Sequence, residues 1–151
     1  MIAPSAAGPR VSVAMITYHH EEFIAEALDS VLAQIVDFDY EIVVADDCSS
    51  DATPTIVAEY ARRYPEIIVP ILNETNVGAN RNLVQVLDRC RGDYVALLDG
   101  DDLWNDPHKM RRQADLLDAD PGCAVVFCPV WVTRPGEPTH VWFPPRRRSE
   151  Y

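Results

Sequence analysis

Blocks of apolar residues alternate with polar turns along the chain, and the period of the apolar positions changes from block to block. Val11–Ile16 (VSVAMI) is a short continuous apolar run behind a Pro/Gly/Ala-rich leader and predicts a buried strand. Over residues 21–35, Phe23, Ile24, Ala27, Leu28, Val31, Leu32 and Ile35 share one helical face. Tyr40–Ala45 (YEIVVA) is β-branched and predicts a second strand. Ser50 or Asp51 then caps a helix with Pro54 in its first turn, which packs through Ile56, Val57, Tyr60 and Tyr64 and stops before Pro65. Ile67–Leu72 is a third strand; Pro70 lacks the N–H that a central ladder needs, so an edge or bulged position is expected. After a loop at 73–78, a helix runs to about Arg91 with Leu83, Val84, Leu87 and Cys90 inward and Gly92 at its stop. Tyr94–Leu98 is a fourth strand. Asp106 and Pro107 open a further helix, and a fifth strand starts at Cys123–Phe127, extending or restarting through Val130–Thr133.

This alternation predicts an α/β fold, a mostly parallel sheet flanked by helices. Residues 1–10 read as a flexible leader and 11–133 as one domain. Residues 134–151, with four prolines and the Arg146–Arg148 run, read as a linker or exposed tail without strand or helix period.

Composition narrows the function. The 151 residues carry 13 basic and 24 acidic side chains, a net charge of −11. That sign argues against nucleic acid as a partner. No apolar run reaches the roughly 18 residues of a membrane span, and the N-terminus lacks a secretory pattern. Residues 134–151 hold a net +2, so the preceding residues carry −13. Cys48, Cys90, Cys123 and Cys128 form no CxxC pair and read as free buried thiols in a reducing compartment; their spacing to the four histidines does not support a zinc site.

In an open α/β sheet, ligands bind beyond the carboxyl ends of the strands. Thr17, Tyr18, His19 and His20 follow the first strand, and Asp46 and Asp47 the second. Asn73, Glu74 and Asn76 follow the third, with Arg81 a few residues on. Asp99, Asp101 and Asp102 follow the fourth. Asp99-Gly100-Asp101-Asp102 crowds three carboxylates together, which a divalent cation neutralises while leaving coordination positions for phosphates. A plain Asp/Gly turn is the competing account. Asp46 and Asp47 suit a ribose or a base N–H, or a simple turn into the next helix. Tyr18 suits stacking or packing, Arg81 a phosphate or the solvent, and Trp104 covers the sheet end. The six glycines form neither GxGxxG nor GxxxxGK[ST], and GxSxG is absent, which removes the usual dinucleotide, P-loop and nucleophile-elbow readings.

Taken together, VSVAMITYHHEEFIAEALDSVLAQ, EIVVADDCSSDAT and NVGANRNLVQVLDRCRGDYVALLDGDDLW resemble, in order and spacing, the family 2 glycosyltransferases, inverting enzymes of the GT-A fold. The resemblance covers residues 11 to about 133. It implies that Thr17, Tyr18 and Asp47 surround a nucleobase with Asp46 close by, and that Arg81 lies near the base or diphosphate. It further implies that Asp99 and Asp101 form a DxD pair, with Asp101 or Asp102 reaching Mg²⁺ or Mn²⁺. The implied donor is a nucleoside-diphosphate sugar, and the acceptor a hydroxyl of a glycan, a lipid or another molecule. Relatives continue into an acceptor-binding half that supplies the general base. The chain therefore reads as a donor-binding half truncated before it, with either self-association through exposed surface or modest stability expected.

The resemblance also leads to an expected role in cell-surface polysaccharide synthesis and a cytoplasmic location, either free or peripheral at the inner membrane face. A non-catalytic nucleotide-sugar-binding module is the alternative. A nucleotidyltransferase is disfavoured because TYHHEE lacks a Gly-rich basic loop.

Overall fold

The computed structural model describes residues 8–133, 136 and 138–142. Four parallel strands form the main sheet: β1 (Val11–Thr17), β2 (Tyr40–Asp46), β3 (Ile68–Leu72) and β4 (Tyr94–Asp99), in the order β3-β2-β1-β4. Between them run α1 (Ile24–Leu32), α2 (Thr53–Arg63) and α3 (Ala79–Arg89). Successive strands add on one side of β1 until β3, and then β4 crosses to the other side. That reversal opens a crevice at the carboxyl ends of β1 and β4.

Alternation along the strands divides the core between two sheet faces. Val11, Val13, Met15, Ile42, Val44, Ile68 and Leu98 pack with Ile24, Leu28 and Val31 of α1 and with Val57 and Tyr60 of α2. Ala14, Val43 and Ala45 meet Val86 of α3 on the opposite face. Each fully buried aliphatic side chain contributes about 1.5–3 kcal/mol, so the central strands are the most strongly held. Gln34, beyond α1, accepts a hydrogen bond from the Met110 N–H and donates to the Asp106 carbonyl. The segment that follows β4 is thereby tied to the first helix. Trp104 is buried in the same core, as its place in the sequence predicts.

The chain divides into two compact units, the first ending at Ala114 and the second beginning at Asp115. A fourth helix, α4 (Lys109–Ala119), spans that boundary. The second unit holds an antiparallel ribbon of β5 (Val130–Val132) and β6 (His140–Trp142). No helix among the described residues is long and apolar enough to cross a membrane.

Several elements depart from the sequence pattern. α1 is shorter than 21–35, and Phe23 and Ile35 at its flanks are exposed. α2 has Ala52 at its N-cap, with Asp51 acting one residue earlier by accepting the Thr53 N–H at 3.0 Å. α3 buries Asn82 and Val86, while Val84 and Leu87 face outward. Gly92 is not in the left-handed region; a Cβ there would lie 2.5 Å from the Ser12 nitrogen, so closeness of backbone explains it. α4 begins at Lys109, after a turn in which Asp106 accepts from the N–H groups of His108 and Lys109. Residues 123–129 form no strand, and Val125 and Phe127 are exposed. β6 forms inside the segment expected to lack strands. The four cysteines are free but only half-buried. Arg134, Glu137 and the Arg146–Arg148 run lie outside the described residues. Pro70, by contrast, sits on edge strand β3 as its missing N–H requires.

Candidate functional site

The strand ends lie level. Thr17 is in register with Asp46, and Ile16 with Asp99. β1, β2 and β4 each run one residue past the apolar run, so these polar residues close the strands. A cavity of about 380 Å³ opens beyond them, lined by Ile16, Thr17, Tyr18, His20, Asp47, Asn76, Gly78, Ala79, Asn82, Asp99 and Asp101. Four separate chain segments contribute. Of the residues that the sequence singles out, Thr17, Tyr18, Asp47, Asp99 and Asp101 meet here, whereas Asp46, Arg81 and Asp102 do not line the cavity.

Asp46 is buried, and both its carboxylate oxygens are taken by Ser49: the Ser49 N–H at 2.9 Å and the hydroxyl at 2.5 Å. It builds the turn after β2. Asp47 points the other way. Its Oδ1 accepts the Val77 N–H at 2.7 Å and its Oδ2 the Gly78 N–H at 2.9 Å, which fixes the loop before α3. Gly78 adopts φ 85°, a backbone conformation that favours glycine. Arg81 is exposed on the first turn of α3.

Asn82 is the residue that hydropathy misses. It is almost wholly buried on the inner face of α3, where its Nδ2 donates to the Ala45 carbonyl at 2.9 Å and its Oδ1 accepts from Asn73 at 2.8 Å. A polar side chain on the buried face of a helix needs such partners. An asparagine four residues before Val86 is the one signal in the sequence.

The acidic turn after β4 is shaped by Gly100, whose N–H donates to the Ile16 carbonyl at 2.9 Å. Desolvation raises the pKa of Asp99, and repulsion from Asp101 adds to it, with His20 acting in the opposite sense. Asp102 is raised for the same reasons: desolvation first, then Asp101 and Asp99. Such a cluster favours a cation. Among the described residues no three His, Cys, Asp or Glu side chains come together as a cation site. The Nε2 of His20 lies 3.8 Å from Asp101. Within the same site, Thr17 Oγ1 and His20 Nδ1 are buried without hydrogen-bond partners.

The model of the family described as "Glycosyl transferase family 2" matches residues 12–150. An uncharacterized protein of Mycobacterium tuberculosis is 46% identical over 135 residues, which cover 89% of this chain and 39% of that protein. A mannosyltransferase from Pyrobaculum calidifontis, solved with GDP-Man and Mn²⁺, superposes with a TM-score of 0.67 at 30% identity, covering 80% of this chain and 35% of that one. S. aureus TarS 1–349 in complex with UDP superposes at 0.63 with 32% identity, covering 73% and 32%. The chain thus spans roughly two fifths of the curated relative's length.

Proposed function

The chain belongs to glycosyl transferase family 2, and from that premise we propose that it supplies the donor and metal site of an inverting transferase. Such an enzyme moves a sugar from a nucleoside diphosphate to an acceptor hydroxyl. The observation that carries the reading is the convergence of four strand-end segments on one cavity with an acidic turn at its rim. Thr17, Tyr18 and Asp47 face the nucleoside, and Asp99 and Asp101 the diphosphate. Asp46 acts through the turn that it builds. Arg81 near the diphosphate and Asp102 near the cation belong to the same proposal, although neither lines the cavity.

Mg²⁺ or Mn²⁺ held at Asp99 or Asp101 would offset the charge that grows on the departing diphosphate. The protein's own part is orientation. The Asp47 clamp and Asn82 fix the loop and helix on one side of the cavity, and Gly100 brings the acidic turn against Thr17 on the other. Of the carboxylates lining the cavity, Asp47 holds two backbone N–H groups and Asp99 and Asp101 face the cation. The reading therefore assigns deprotonation of the acceptor hydroxyl to a group other than these three.

The alternative reading is a binding module without transfer activity. Sugar transfer by the isolated chain would eliminate it.

The leading reading is tested by calorimetric titration with UDP, GDP, CDP and dTDP, each with and without Mn²⁺. Metal-dependent binding of one of them is the expected result. The bound ligands of the two structural neighbours make GDP and UDP the first to try. Absence of binding to all four would overturn the reading.

A further inference from the structure

The segment after β2 carries more hydrogen-bonding side chains than its turn needs, and these reach across to the loop after β1. The N–H of His19 donates to Ser49 Oγ at 2.9 Å, that of His20 to Thr53 Oγ1 at 2.9 Å and that of Glu21 to Asp51 Oδ2 at 3.3 Å. Three consecutive amides are thus taken by Ser49 and Asp51 of the facing loop and by Thr53 at the start of α2. The clamp is reciprocal, since the Ala52 N–H donates to Glu21 Oε2 at 2.8 Å. Asp46 stands behind it: the Ser49 hydroxyl that accepts from His19 donates in turn to Asp46.

The loop so held is strained. His19 has φ 56°, in the left-handed region that non-glycine residues avoid, and Cys48 in the facing loop has φ 62°. Such conformations persist where surrounding bonds over-determine them. The flanking residues, Tyr18 and His20, both line the cavity. The Tyr18 ring, with its centroid 4.0 Å from that of His19, stacks on it.

We propose that Ser49, Asp51 and Thr53 are positioning residues, which hold the loop after β1 in a strained form so that Tyr18 and His20 are presented to the donor cavity. The inference rests on the donor-site reading above. Loss of a clamp bond lets the loop relax from the left-handed turn at His19, and the two side chains leave the positions at which they meet the ligand.

The test compares wild type, Thr53→Val, Thr53→Ser and Ser49→Ala in the full chain. Thr53→Val keeps the shape of this fully buried side chain and removes the oxygen; Thr53→Ser keeps the oxygen. Amide hydrogen exchange is read without ligand. The proposal expects the His19–Glu21 amides to lose protection in Thr53→Val and Ser49→Ala, while the β1 and β2 amides stay protected. It also expects UDP or GDP binding with Mn²⁺, measured well below the melting temperature, to weaken on the order of tenfold in both variants. Thr53→Ser should restore both readouts. Unchanged exchange at 19–21 would overturn the clamp. Lost protection with unchanged nucleotide affinity would overturn the positioning role. Should Thr53→Val fail to fold, Ser49→Ala decides by the same two readouts. If wild type binds none of UDP, GDP, CDP and dTDP, the donor reading fails and the positioning role with it, and the clamp itself is judged on exchange; if it binds CDP or dTDP instead, that nucleotide is the probe.

Discussion

Gly100 lies so close to Thr17 that a methyl group at position 100 would come within 2.7 Å of both the Thr17 Cβ and Oγ1. The same methyl would lie 3.0 Å from His20 Nδ1. The glycine of the acidic turn is therefore required for close approach and not for a left-handed backbone, since its φ is ordinary. Gly100→Ala should push the turn away from β1. We expect a stability loss of about 1–3 kcal/mol and weaker Mn²⁺-dependent nucleotide binding, measured by urea unfolding and calorimetry. Wild-type values in both would mean that the contact yields without cost.

At the opposite end of the sheet, Glu41 is 2% exposed yet ionised. Burial is the largest single influence on it and opposes the charge. The Arg91 side chain, the Ser12 hydroxyl and the Arg91 N–H together outweigh that and lower its pKa. The bonds are short: 2.6 Å from Ser12, 2.8 Å from the Arg91 N–H, and 3.0 and 2.6 Å from the guanidinium. Because the folded value lies below the unfolded one, roughly 4.3, the carboxylate stabilises the fold above that pH. The contribution is lost as pH falls through the folded value. Glu41→Gln should cost about 1–3 kcal/mol at pH 7 and flatten the acid dependence of stability in urea titrations as the pH falls below roughly 4.3. A variant with the wild-type acid dependence would show that Glu41 does not carry this linkage.

Among the described residues β4 is an edge strand, and Val95 and Leu97 on its α3-side face are 45% and 63% exposed. An exposed apolar edge is a template for pairing. We expect the chain to self-associate with rising concentration in sedimentation velocity, and Leu97→Lys to suppress it. A monomeric wild type across the concentration range would contradict this.

The parts of this fold most legible in the sequence are those where a single physical demand rules. Continuous apolar runs mark β1 and β2 because those strands are buried on both faces; β4 has the same apolar run but leaves Val95 and Leu97 exposed on one face, and Pro70 marks β3 as an edge. α3 is less legible. Hydropathy turns Val84 and Leu87 inward, but the buried face is set by Asn82, whose amide is satisfied by Ala45 and Asn73, partners distant in sequence. The same limit applies to Asp46 and Asp47. As neighbours of one residue type they are equivalent in the sequence, yet one faces the turn and the other the cavity side. The apolar run at 123–127 predicts a strand by propensity alone, and a strand needs a partner to pair with. The clamp of Ser49, Asp51 and Thr53 is likewise invisible until the two loops are brought together.

A donor site that depends on a divalent ion at the acidic turn should answer to the carboxylates of that turn. Asp101 is the residue to change: it lines the cavity, and its side chain is 52% exposed, so its replacement should leave stability within about 0.5 kcal/mol. The decisive measurement is calorimetric titration of wild type and Asp101→Asn with GDP and UDP, with and without Mn²⁺. We expect Mn²⁺-dependent binding of one nucleotide by wild type and its loss in a folded Asp101→Asn. Equal, Mn²⁺-dependent binding by both proteins would contradict this.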